Sequence, residues 1–160
     1  MNRLAIFLFA VIFIPFLSVA QDAKTKNQNT YFGLLSKEGF RPEIDSDGDV
    51  QFKYEGNTFY IETKMPENVF KLAYMVRTEE IVGKNGCSLE FLMAINNSFT
   101  YNDGCIVWAS EDCKALVIKW YVDLNEGEDL TKEQFYNSIS RIREGVENIK
   151  IELREIGLMK

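Results

Sequence analysis

The chain contains no histidine. That absence removes the commonest general base and the commonest metal ligand, and it rules out nucleophile systems in which an imidazole activates a serine or cysteine. Basic residues are also in short supply, with 18 Lys and Arg against 24 Asp and Glu. Non-specific binding to a phosphate backbone rests on Lys and Arg displacing counterions, and no basic cluster stands out, so nucleic acid is disfavoured as a partner. Cysteine is scarce and odd in number. Cys87, Cys105 and Cys113, spaced by 18 and 8 residues, fit no zinc pattern and allow at most one internal bridge. They read more simply as small apolar residues than as a bridge. The 10 glycines form neither a P-loop nor a dinucleotide fingerprint. Carboxylates are plentiful, but Asp45, Asp47, Asp49, Asp103, Glu111 and Asp112 fall at expected turns, where solvated charge is the ordinary explanation for them. No catalytic residue, cofactor or metal ligand is therefore expected, and the chain reads as non-enzymatic.

What the chain does carry, at its start, is the three-part layout of a secretory signal: Arg3, an apolar run from Leu4 to Leu17, and small residues at Ser18 and Ala20. Cleavage between Ala20 and Gln21 is expected. A membrane anchor is the competing reading, but a span needs about 20 apolar residues, and this shorter run contains Pro15. Removing residues 1–20 leaves 140 of 160, the size of one domain, with 17 basic and 24 acidic side chains once Arg3 is lost. The expected organisation is a signal peptide over 1–20, a disordered polar leader over 21–29 and a single domain over 30–160. Such a protein is periplasmic or extracellular and has no stable membrane span after processing.

Along the domain, Tyr31, Leu34 and Leu35 mark a short helix that Gly39 can end, and Pro42 precedes a strand beginning at Glu43-Ile44. Asp45-Ser46-Asp47-Gly48-Asp49 is a turn, followed by alternating Val50, Phe52 and Tyr54. A calcium loop starting at Asp45 would need Gly at its sixth position and Glu at its twelfth, where Val50 and Gly56 stand. Glu55-Gly56-Asn57 is a second turn and Thr58 to Glu62 a further strand, so the segment predicts an antiparallel meander. In the next strand, Phe70, Leu72, Tyr74 and Val76 share one face, while Val69, Ala73 and Met75 share the other with Lys71. Leu89, Leu92, Met93 and Ile95 mark a helix from about Ser88 to Asn97. Strands over Cys105 to Ala109 and Ala115 to Val122 follow, the latter with Leu116, Ile118, Trp120 and Val122 on its richer face. Thr131-Lys132-Glu133-Gln134 is a capping box, with Leu130 and Phe135 as its hydrophobic staple. Beyond it Phe135, Ile139, Ile142, Val146, Ile149, Leu153 and Ile156 form one apolar stripe. The stripe could serve a coiled coil, but more often one of this length lies across the domain's own sheet. The predicted class is α+β, an antiparallel sheet of about five to six strands flanked by helices in the order α-β-β-β-(β)-α-β-β-α.

Three stretches carry a resemblance: Glu38-Gly39-Phe40-Arg41-Pro42-Glu43-Ile44-Asp45, Asp47 to Gly56, and Tyr60-Ile61, with an echo in Ala94-Ile95-Asn96-Asn97. On these residues the chain resembles the YbjN-like proteins, which share the fold of type III secretion chaperones. The resemblance implies a sheet flanked by helices, often dimeric, with a surface that holds another polypeptide, and it supplies no catalytic residues. An export signal departs from that pattern, since secretion chaperones work in the cytoplasm.

Antiparallel sheets facing water usually alternate cleanly, yet Val69, Ala73, Met75, Val117 and Tyr121 interrupt the polar side. Scattered exposed apolar residues, or cover from the first helix, would account for them, as would a partner surface or a homodimer interface. The function expected is an exported binding module for a protein or peptide, alone or as a homodimer. The alternative is a small-ligand-binding domain of the cystatin-like or cone-shaped α+β kind, with weak carboxylate-based hydrolysis. A partner module expects an apolar patch on an open sheet face, and a ligand domain a closed pocket with converging polar groups.

Overall fold

The computed structural model describes residues 23–82, 88–100, 105–110, 112–125 and 127–159. The expected signal and its cleavage point at Ala20 and Gln21 lie outside them. A first helix, α1, covers 23–37, and four strands follow: β1 (Glu43–Ile44), β2 (Val50–Tyr54), β3 (Asn57–Ile61) and β4 (Val69–Arg77). Helices α2 (Thr78–Val82) and α3 (Leu89–Thr100) lead to the hairpin β5 (Cys105–Ala109) and β6 (Ala115–Asp123), and α4 (Lys132–Glu155) closes the chain. The six strands form one antiparallel sheet in the order β1-β2-β3-β4-β6-β5. This is the predicted α+β architecture, with α2 added. A five-residue helix is too short to impose a 3.6-residue period on the sequence, so α2 leaves no readable mark.

Strand register explains where the core sits. Phe52, Phe59, Tyr74, Ile118 and Val107 lie side by side across five strands, and so do Val50, Ile61, Leu72, Trp120 and Cys105. Side chains alternate faces along a strand, so these two rows line one side of the sheet. Phe52 stacks on Phe59 with centroids 5.6 Å apart, and Phe59 meets Tyr74 at 5.2 Å. Helix α4 lies over this side, with Phe135, Ile139, Ile142, Val146, Ile149 and Leu153 buried. The apolar stripe thus serves the domain's own sheet, except that Ile156 follows the helix as its cap and is exposed. The capping box forms as read: the Gln134 backbone N–H donates to Thr131 Oγ1 at 3.2 Å, and the Thr131 N–H donates to Gln134 Oε1 at 2.9 Å.

The first helix begins earlier than its apolar residues indicate. Residues 23–29, expected as a disordered leader, are helical because polar side chains tie them to the sheet's loops. Asn27 is buried and donates to the carbonyls of Thr63 at 3.0 Å and Met65 at 2.9 Å. Lys24 reaches the Asp47 carbonyl and Gln28 the Gly48 carbonyl. Side-chain amides bonded to buried backbone acceptors fix the helix without a hydrophobic pattern. At the other end Gly39, at φ +87°, terminates the helix as predicted, with Gly39 N–H donating to Ser36 O and Phe40 N–H to Leu35 O.

Two predictions arise from these contacts. Gly48 has φ +85°, and a Cβ there would collide with the Lys24 side chain and the Gln28 amide. Gly48→Ala is expected to lower stability by about 1–2 kcal/mol, the cost of a left-handed backbone for an L residue, measurable by urea unfolding. The second concerns Tyr31, buried against Phe70 with centroids 5.5 Å apart, whose phenol is pushed up to about 12 by that burial. A folded-state value above the unfolded one means the folded chain holds its proton more tightly. Its contribution is therefore complete below about pH 10 and drains away up to about pH 12, a loss of about 2 kcal/mol. Tyr31→Phe should flatten that part of the stability profile, as read by denaturant midpoints from pH 8 to 12.

Cysteine chemistry corrects the simpler reading of the sequence. Cys113, at φ +54°, is disulfide-bonded to a partner outside the described residues, whereas Cys105 is a buried free thiol pushed up to about 11 by burial. Denatured, unreduced protein should titrate fewer than 3 thiols per chain, with Cys105 among those that react. A count of three would show that no bridge forms.

Candidate functional site on the open sheet face

The sheet side opposite α4 carries the chain's second set of alternating residues. Gln51, Tyr60, Ala73, Lys119 and Ile106 form one row across five strands, with Met75, Val117 and Trp108 forming another and Lys71 opposite Tyr121 a third. Every predicted interface residue sits on this side. Ala73 is buried among its neighbours and Val69, Val117 and Tyr121 are half-buried, but Met75 is 52% exposed. Beside them Ile106 is 51% and Trp108 39% exposed, two residues that sequence reading did not assign to a face. Val69 stands apart at the strand's start, opposite Asp123.

At the centre of this face are three charges. Glu62, just past β3, accepts from Lys71 Nζ at 2.5 Å through Oε2 and from Lys119 Nζ through Oε1. The Glu62 backbone N–H donates to the Lys71 carbonyl at 3.0 Å, extending the β3–β4 ladder and fixing the carboxylate's position. Each ammonium also faces a ring, Lys71 that of Tyr121 at 5.1 Å and Lys119 that of Trp108 at 4.2 Å, distances within cation–π range. The three side chains are only 11%, 13% and 21% exposed for Lys71, Lys119 and Glu62. Burial pulls both lysines down. For Lys71 the hydrogen bonds with Glu62 and Tyr121 outweigh burial and its pKa ends raised, whereas Lys119, which also feels Lys71, ends lowered. Tyr60, Ala73, Met75, Val117, Trp108 and Lys119 share with Asp45, Asp47 and Asp49 the lining of a surface depression of about 330 Å³.

The sequence held a signal for this cluster. Lys71 and Lys119 each interrupt a nine-residue strand that is otherwise mostly apolar, which is an unusual place for an unpaired lysine. Their shared partner was not readable, because Glu62 reaches them only through the β3–β4 and β4–β6 registers.

The sheet has two edges of different character. β1 has two exposed residues and follows Pro42, a short and guarded edge. β5 is Cys-Ile-Val-Trp-Ala, without charge or proline. The Ser110 N–H donates to Ala115 O at 2.8 Å, so by alternation Trp108 and Ile106 bond to β6, and Cys105, Val107 and Ala109 turn their backbone groups outward. Beside this edge lies α3, on which Phe91, Ala94 and Ile95 are buried among the described side chains. Leu89, Leu92 and Met93, three of the four residues that marked the helix, are exposed instead. A groove of about 370 Å³ between α3 and β5 is lined by Leu92, Ile95, Asn96, Cys105, Ile106 and Trp108, among others. Among the described residues no helix is long and apolar enough to cross a membrane.

No family model matches the chain, and no curated protein does either. Solved structures do. An uncharacterised protein from Methanothermobacter thermautotrophicus superimposes with a TM-score of 0.58 at 15% identity, over 82% of this chain and 99% of its own. YbjN from E. coli, named as a proposed transcription regulator, superimposes with a TM-score of 0.54 at 15% identity, over 83% of this chain and 94% of its own. The fold is YbjN-like. At this identity the YbjN likeness concerns architecture, and it carries no residue roles onto the open face.

Proposed function

We propose that the chain is an exported, non-enzymatic binding module that holds a protein or peptide partner on its open sheet face. The observation that carries this reading is the face itself, where Met75, Ile106 and Trp108 stand exposed around half-buried Val117 and Tyr121. Exposed apolar side chains gathered around charged groups in this way mark interaction sites. Its converging polar groups lie in a surface depression and not in an enclosed cavity, which favours a partner over a small ligand. The uncharged β5 edge and the apolar residues of α3 beside it add a surface on which a homodimer can form by strand addition. Export is supported by the pattern of residues 1–20 and by the Cys113 disulfide, a bond that persists in oxidising compartments. The sequence resemblance to the YbjN-like proteins, which implies a surface that holds another polypeptide, agrees with this role. A regulator's contact with nucleic acid does not, given a net charge of −6.

The test is capture from an envelope extract by immobilised chain 21–160, compared with Met75→Glu and Trp108→Glu, alongside light scattering. The reading expects a protein retained by the natural sequence and lost from both variants. A strict monomer that retains nothing, or retains the same protein after both substitutions, would overturn it.

A further inference from the structure

The open sheet face is unlike at its two ends. Asp45, Asp47 and Asp49 line its depression from the turn that leads into β2, whereas Met75, Val117 and Trp108 line it towards β5. Between them Glu62 is taken up by Lys71 and Lys119, each of which also faces a ring. Four carboxylates (Asp45, Asp47, Asp49 and Glu62) against these two lysines leave the face two charges negative. The excess belongs to the aspartate end, since Lys24 approaches that turn through the Asp47 carbonyl and not through a carboxylate. We propose that this face holds an extended segment of a partner polypeptide with a lysine or arginine at one end and large apolar side chains at the other. This deepens the function proposed above and rests on it.

Charge complementarity selects the occupant. A net charge of −6 attracts a basic partner over distance and repels an acidic one, and no basic cluster in the chain itself would let a second copy fill the same place. The aspartates are also held in position. Asp45 Oδ1 accepts from the backbone N–H groups of Asp47 and Asp49, each at 2.9 Å, and Asp49 Oδ1 accepts from that of Thr63 at 3.0 Å. Asp47 itself is exposed. A cation that strayed along the face would meet Lys119, so its place is the aspartate end. Sheet geometry sets the length of the segment: from β2 to β5 there are four strand spacings, about 19 Å, which an extended chain crosses in about six residues. Its backbone would pass over the row of Tyr60 and Ala73, where the small buried Ala73 leaves room, and its apolar end would reach exposed Met75 and Trp108.

The blocked peptide Ac-Arg-Ser-Ala-Ser-Leu-Leu-NH2, its neutral citrulline counterpart and ethylguanidinium serve as probes, read by the indole N–H signal of Trp108 in titrations of the chain 21–160. The arginine peptide is expected to shift that signal saturably and to bind at least about threefold more tightly than the citrulline peptide, the worth of an ion pair that keeps contact with water. Asp47→Asn should remove most of that preference and leave the citrulline peptide's affinity unchanged. Should the variant not fold, the natural sequence decides alone, since added salt must weaken the arginine peptide and spare the citrulline one. Equal binding of both peptides overturns the basic assignment while leaving a peptide-holding face intact. Ethylguanidinium binding as tightly as the arginine peptide overturns the assignment to a polypeptide. A Trp108 signal that moves when the chain alone is concentrated assigns the face to a second copy and overturns the proposal, as does the absence of a shift with any probe.

Discussion

Phe135→Ala is expected to remove about 3–5 kcal/mol of stability, the range for deleting a fully buried aromatic side chain. Phe135 is wholly inaccessible and joins parts of the chain that are far apart in sequence. Its ring meets Phe40 beyond α1 at 6.0 Å, Phe52 on β2 at 5.5 Å and Tyr136 on its own helix at 5.2 Å. Inclined ring pairs at these separations add to the area buried. The alanine leaves a void that rigid neighbours cannot fill, because Phe52 is already held against Phe59 by the β2–β3 register. A domain of this size commonly has about 5–15 kcal/mol in all, so the variant should be marginal, with its urea midpoint sharply lowered. Phe32→Ala, at a position 38% exposed, is the control and should cost little. A loss under about 1 kcal/mol for Phe135→Ala would mean that the aromatic cluster is not the centre of the core.

Phe135 was recognisable in the sequence because one part of its role is local, as the residue that pairs with Leu130 around a capping box, although its contacts with Phe40 and Phe52 are not. The same holds for the β2–β3 hairpin, where turn residues and alternation agree, and for Gly39 at the helix end. Readings failed where tertiary contacts overrode the local pattern. Helix α1 extends back through 23–29 because Asn27, Lys24 and Gln28 find carbonyls that only the folded sheet presents. On α3 the apolar residues outnumber those the core can take, so periodicity located the helix but pointed to the wrong side of it, and Leu89, Leu92 and Met93 remain outside.

The open face was legible in the same partial way. Alternation within β4 and β6 put Val69, Ala73, Met75, Val117 and Tyr121 on one side, because the period of two is a property of each strand alone. Ile106 and Trp108 could not be placed, since a five-residue apolar strand gives no polar side to count from. Nor could Glu62 be joined to Lys71 and Lys119. Sequence separations of 9 and 57 residues are closed by strand register, which depends on every turn between them.

That joining predicts an asymmetry among the three charges. Glu62→Ala should lower stability by about 3 kcal/mol, the low end for breaking a buried ion pair, since the cluster keeps some contact with solvent. Two ammonium groups would then face each other with no carboxylate between them. Lys119→Met should cost under about 1 kcal/mol, because Lys71 and Glu62 remain a neutral pair and the methionine continues the apolar row of Met75 and Val117. The pH dependence has a definite sign. Without Glu62, burial and mutual repulsion hold both lysines below their unfolded values, so the unfolded chain binds more protons and stability rises with pH. Relative to the natural sequence, the Glu62→Ala deficit should therefore shrink as pH climbs from 8 towards about 10, where ordinary lysine titrates. Urea unfolding of both variants across that range measures it. A deficit independent of pH would assign the loss to packing of the Glu62 side chain, whereas one that closes would assign it to the two unpaired lysines.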